Sequence, residues 1–264
     1  MEYSARDSAG RKTCAQREPE VLRQARFGSA QKGSVSRWFW LSGNCAFEQF
    51  PTFFDKVAMY RCETTSVAGF IQQLAVAYVA RGYWFYVVGS IPAGKEPRRT
   101  DARLISKYGV DVSKWTRVRR KRQGRASVQY LRFQRFFVLL ATEGEHPFYF
   151  EEPFIFDIRE RPIRFAGYSV SCRKGRDGKW HPLVRIDGLE FGLIKQQLLK
   201  AALTASAEVM AARIRRLGFM PYRPVRSQYR QLLYAINHRR QLASLEILPK
   251  EVLPTRRRIV EPFS

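Results

Sequence analysis

The chain carries only three histidines, His146, His181 and His238, and one of them stands among carboxylates. His146 falls in EGEHPFYFEE, with Glu143, Glu145, Glu151 and Glu152 close by in a chain otherwise short of acid. An imidazole beside carboxylates can hold a divalent cation, and such a cation next to a basic groove is the machinery of a metal-dependent nuclease. A strand at this place would, however, turn Glu143 and Glu145 to one side and His146 to the other. Solvated carboxylates at a strand end are the simpler reading, and no metal ligand is assigned. Tyr168, Tyr229 and Tyr234 carry hydroxyls able to attack a phosphodiester, but nothing in their surroundings marks one out. The four cysteines, Cys14, Cys45, Cys62 and Cys172, are widely spaced and form no Cys-x-x-Cys pair, so neither a zinc site nor a disulfide scaffold is signalled. Gly-x-Ser-x-Gly, P-loop and His-Glu-x-x-His patterns do not occur, which leaves acyl-transfer hydrolases and P-loop motors without support and no cofactor indicated.

Charge is the denser signal. In WTRVRRKRQGRASVQYLRFQRFFVLL, six of the nine residues from Arg117 to Arg125 are Lys or Arg, and no acid lies between Asp111 and Glu143. Like charge at this density repels itself, so the run predicts a polyanionic partner, and nucleic acid is the commonest polyanion. If Ser113 to Arg122 is helical, Lys114, Arg117, Arg120 and Lys121 share one side at three- and four-residue spacing; an exposed loop fits the same residues. Arg119, Arg122 and Arg125 complete the arm. Lys95, Arg98 and Arg99 add charge after the preceding strand, where they could converge on the same face. Arg132, set among aromatics in a strand, offers a charge for phosphate beside rings for bases. Arg173 and Lys174 head a basic hairpin tip, whose Asp177-Gly178 permits a tight turn. About six neutralised phosphates would make log affinity fall against log salt with a slope near −5.

These residues must be held by a folded body. Thr64-Thr65-Ser66 caps a helix over VAGFIQQLAVAYVARG, with Gly82 as its stop. YWFYVVGSI reads as a buried strand, and a short helix from about Thr100 to Tyr108 ends at Gly109. VQYLRFQRFFVLLAT reads as one long strand, followed by three short ones at about 148–158, 163–172 and 181–187. From Leu189 apolar residues recur at helical spacing, with Thr204-Ala205-Ser206 a possible break. A second helix, about Ser227 to Ala243, turns Leu232, Leu233 and Ile236 inward and Arg230, Arg239 and Arg240 outward. The expected fold is α+β: a mainly antiparallel sheet with a preceding helix and a C-terminal helical pair.

Apolar residues make up 45% of the 264 and the formal charge is +24, a composition that folds and favours nucleic acid, acidic protein or anionic surfaces as partners. No apolar run approaches the roughly twenty residues of a membrane span, and the polar start is unlike a secretion signal, so a cytoplasmic protein without membrane contact or small-molecule substrate is expected. Residues 1–58 read as a basic, aromatic extension, 59–188 as a nucleic-acid-binding core and 189–264 as a helical region packed on it. The clustered aromatics from Trp38 to Phe54 could stack on bases or dock the extension, and Met59 is an alternative start.

From Met59 onward, GYWFYVVGSIP, LISKYG, SKWTRVRRKR, RFFVLLATEGEHPF, PIRFAGYSVSCR and RRRIVEPF resemble a group of uncharacterised basic bacterial proteins met in mobile-element-rich genomes. That resemblance implies a link to mobile genetic elements and no particular reaction. In layout the chain is also similar to rolling-circle replication initiators and relaxases, which implies strand nicking at a His-hydrophobe-His metal pair. The chain departs from that pattern in having His146 alone.

Overall fold

The computed structural model describes residues 60–256 and 259–263. The Trp38–Phe54 aromatics and the expectations about residues 1–58 and Met59 lie outside these. Ser66 opens α1, Val67–Gln72, its hydroxyl accepting from the Gly69 amide at 3.0 Å. The segment continues as a π-helical turn, Gln73–Tyr78, and a 3-10 turn, Val79–Arg81, and stops at Gly82, which takes φ +93°. That φ suits glycine, which has no Cβ to clash.

Chain reversal then yields β1, Tyr83–Ser90, the centre of a four-stranded antiparallel sheet with β2, Val128–Phe133, β3, Phe136–Thr142, and β4, Phe156–Asp157, in the order β2-β3-β1-β4. VQYLRFQRFFVLLAT is therefore two strands and not one. Gln134-Arg135 forms the turn, with Gln134 at φ +53° and the Arg135 guanidinium bonded to the carbonyls of Pro92 and Ala93.

Both faces of this sheet are covered. Leu131, Val138, Leu140 and Tyr86 enter the main core with Phe70 and Leu74. Tyr130, Leu139, Ala141 and Val87 enter a second core with Leu104, Tyr108, Val110 and Phe148. Leu104 belongs to α2, Pro97–Lys107, and Phe148 to the single turn α4, Phe148–Glu151. α2 starts earlier than expected because Pro97, whose missing N–H matters least in a first turn, sits at its N-terminus. Residues 148–158 are not a strand: Pro147 initiates α4, and only Phe156-Asp157 pairs with β1.

The second sheet, β5-β6-β7, joins Ile163–Phe165, Tyr168–Lys174 and Trp180–Ile186. The expected 163–172 strand is cut by Ala166-Gly167, both at positive φ. Three helices close the fold: α5, Gly188–Ala201, α6, Ala207–Arg215, and α7, Arg223–Leu242. Ile194, Leu198, Met210, Leu232, Leu233 and Ile236 join the main core. Arg240 does not face outward. It is 2% exposed and donates to the carbonyls of Ala202 at 2.9 Å and Ala205 at 2.7 Å, which ties α7 to the α5–α6 connection. The result is an α+β fold with a C-terminal helical region. No helix among the described residues is long and apolar enough to cross a membrane.

Candidate nucleic-acid interface

The basic run forms a helix, α3, Lys114–Arg122. Ser113 caps it, its hydroxyl accepting from the Thr116 amide at 3.1 Å, and Gly124 ends it at φ +70°. Arg119, Arg120, Lys121 and Arg122 fall in the last turn, where the partial negative charge of a helix C-terminus offsets part of their mutual repulsion. The expected side of Lys114, Arg117, Arg120 and Lys121 is not one surface. Arg117 and Arg120 are half-buried and lash the helix down, donating to the carbonyls of Val112 at 2.7 Å and Gly109 at 3.3 Å. Lys114, Trp115, Val118, Arg119, Lys121 and Arg122 are exposed. At about 100° per residue they span an arc of roughly 160°. Trp115, within this arc, is 82% exposed.

The arm's end is pinned to the loop after β3. Ala126 donates to the Glu145 carbonyl and Glu145 to the Gly124 carbonyl, both at 3.0 Å. Gly144, at φ +128°, allows this approach, since a Cβ there would lie 2.5 Å from the Gly124 oxygen. Between arm, loop and α4 lies a cleft of about 510 Å³ lined by Arg120, Arg125, Glu145, His146, Phe150 and Glu151. Phe150 is 88% exposed.

His146 is a clip. Its Nδ1 accepts from the Phe148 amide at 3.1 Å, while burial and then the nearby Arg120 charge hold its pKa below the ordinary value. The surrounding acids go elsewhere: Glu143 to Arg159 at 3.3 Å, Glu151 to Lys107 at 3.0 Å, and Glu152 to the Tyr108 hydroxyl. Burial, reinforced by Glu152, pushes the Tyr108 phenol up. Among the described residues no group of three His, Cys, Asp or Glu side chains converges as a metal site would require. Tyr168 and Tyr229 are buried, their hydroxyls bonded to the Met220 amide and the Phe219 carbonyl, and burial pushes both up to about 12. Tyr234 is 75% exposed and stacks on His238. Cys62 and Cys172 are free and buried, and burial raises the thiols to about 12 and about 11, so they stay protonated.

Of the remaining expected residues, Arg132 is not on the surface at all. Arg132 is 2% exposed; its guanidinium meets Asp101 at 2.9 Å and Glu63 at 2.8 Å, and Tyr130 donates to the same Asp101 at 2.6 Å. It has no face to offer a phosphate. It shares the Tyr130 face of β2, which packs beneath α2, and that burial demands a carboxylate partner. Lys95, Arg98 and Arg99 are exposed at the start of α2, about 15 Å along the helix from its α3 end. Arg173 and Lys174 are exposed at the β6–β7 hairpin, in the other sheet. A larger groove of about 870 Å³ between α5 and α7 is lined by Lys195, Arg230, Tyr234, His238, Arg239 and Leu242 among others, none acidic.

Sequence reasoning missed Trp115 and Phe150. Trp115 carried a signal, an aromatic inside a cationic helix. Phe150 carried none while its segment read as a strand. Comparison with known proteins finds no matching family model, no related curated protein and no similar solved structure.

Proposed function

We propose that the protein binds nucleic acid through the outward face of α3, extended by Arg125. One contrast carries this reading. Arg132 and Arg159 meet carboxylates of the chain itself, and Arg135 and Arg240 meet carbonyls. Lys114, Arg119, Lys121, Arg122 and Arg125 are exposed and form no ion pair among the described residues. No described residue supplies their counter-charge, and a phosphodiester backbone would supply it at regular spacing. Trp115 and Phe150 add rings of the kind that stack on bases.

The reading is tested by anisotropy titration of labelled oligonucleotides of mixed and single-base sequence. Binding is expected to all of them, tighter at low salt and with little sequence preference, because phosphate contacts carry no base information. Affinity for none of them at low salt refutes it.

A further inference from the structure

We infer that the cleft at the C-terminal end of α3 receives one unpaired nucleotide, its base against Phe150 and its phosphate against Arg120 and Arg125, so that the arm binds single strands in preference to duplex. The inference rests on the nucleic-acid reading of the arm and specifies its ligand. The roughly 510 Å³ of the cleft falls within the range of small-ligand sites.

Phe150 is the unusual feature. α4 is fastened by its other aromatics: Phe148 is fully buried and the Tyr149 hydroxyl donates to the Thr142 carbonyl at 2.6 Å. Phe150 is thereby held out at 88% exposure with its ring in water. A flat apolar occupant that covers it recovers the hydrophobic and stacking energy that this exposure forgoes. A purely apolar occupant does not fit the rest of the wall. Arg120 has one terminal nitrogen on the Gly109 carbonyl at 3.3 Å, which leaves its other donors to the cleft, and Arg125 is exposed beside it. Two guanidinium groups suit a phosphate. Glu145 and Glu151 line the same cleft; carboxylates repel phosphate but accept from the exocyclic amino groups of bases. Ring, cations and acceptors together match a nucleotide. In duplex the base is already stacked and paired, and reaching the cleft requires its extrusion at a cost of unstacking.

The test compares wild type, Phe150→Ala and Phe150→Trp on a labelled single-stranded homopolymer and a labelled hairpin duplex, across a salt series. Phe150 is exposed, so the melting temperature is expected to be unchanged in all three. Phe150→Ala should weaken single-strand binding by about tenfold or more, change duplex binding less than about twofold and leave the salt slope intact; Phe150→Trp should restore the loss. If Phe150→Ala weakens neither substrate, or both equally, while salt-dependent binding persists, the cleft assignment is overturned and the arm reading stands. If no protein binds either substrate at low salt, both fall together. A nucleoside monophosphate that binds wild type but not Phe150→Ala, with the homopolymer unaffected by that change, would assign the cleft to a free nucleotide and overturn the strand assignment.

Discussion

Removing part of the α3 arm should lower affinity and salt dependence together while leaving the fold intact. The sequence alone predicts about six phosphates neutralised; the structure leaves five exposed cations, Lys114, Arg119, Lys121, Arg122 and Arg125, because Arg117 and Arg120 tether the helix. With one phosphate each and a slope of about −0.7 per contact for single strands, log affinity should fall against log salt with a slope near −3.5. Between about 50 and about 200 mM salt that is a loss of roughly 100-fold. The triple variant Arg119→Ala, Lys121→Ala, Arg122→Ala keeps two contacts, so its slope should be near −1.4 and its loss over the same range under about tenfold. Stability should move little. Like-charge neighbours such as Arg117 and Lys121 at i,i+4 repel by a few tenths of a kcal/mol, and losing cations from the last turn forfeits a similar amount of dipole interaction. A matched control, Arg230→Ala with Arg239→Ala in the α5–α7 groove, should leave the slope unchanged. The assay is anisotropy over a salt series with thermal melts of each protein. If the triple variant keeps the wild-type slope, or the control loses as much, the arm is not the interface.

Three further outcomes test the elements that position it. Arg132→Met strands the 5% exposed Asp101 and should cost about 3–5 kcal/mol in urea unfolding; a loss below about 1 kcal/mol would mean the pair is not buried as described. The His146 pKa is lowered by burial and Arg120, so its contribution to stability is complete above about pH 6.5, the unfolded value, and is lost as pH falls below it. His146→Asn should flatten that acid-side decline in the denaturation midpoint, and an unchanged decline would remove His146 as its source. Gly144→Ala, forced to φ +128° against the Gly124 and Arg125 backbone, should destabilise by on the order of 3 kcal/mol, read as a fall in melting temperature; a neutral effect would refute the close approach.

Most helices were legible because their cues are local. Apolar spacing marked α1, α5 and α7, and Ser66, Ser113 and Ser206 each supply the capping hydroxyl. Where the reading failed, the deciding contact was distant. Nothing in FQRF resembles a preferred hairpin turn, and Gln134-Arg135 turns there with Arg135 gripping carbonyls some forty residues earlier. Burial on both faces also erased the alternation that would have separated β2 from β3. FYFE alternates as a strand would, yet Pro147 starts a helical turn that sends Phe148 into the core and leaves Phe150 in water.

The basic run was visible as a run, but which of its cations face outward was not, since that depends on which backbone carbonyls the fold brings near. Arg132 and Arg240 show how far this matters: in sequence they look like the arm's arginines, and both are 2% exposed. One has Asp101 and Glu63 to neutralise it, the other the carbonyls of Ala202, Ala205 and Glu246. With 47 Lys and Arg against 23 Asp and Glu, internal carboxylates cannot reach every cation, and a buried arginine needs a partner, carboxylate or carbonyl, far more than an exposed arginine does. Asp101, Asp157 and Glu63 accordingly serve buried or half-buried guanidinium groups. α3 receives none among the described residues, and its own last turn and two carbonyl tethers hold it in place without them. That arrangement holds the helix without carboxylate partners from the described residues, which is what the proposed binding face requires.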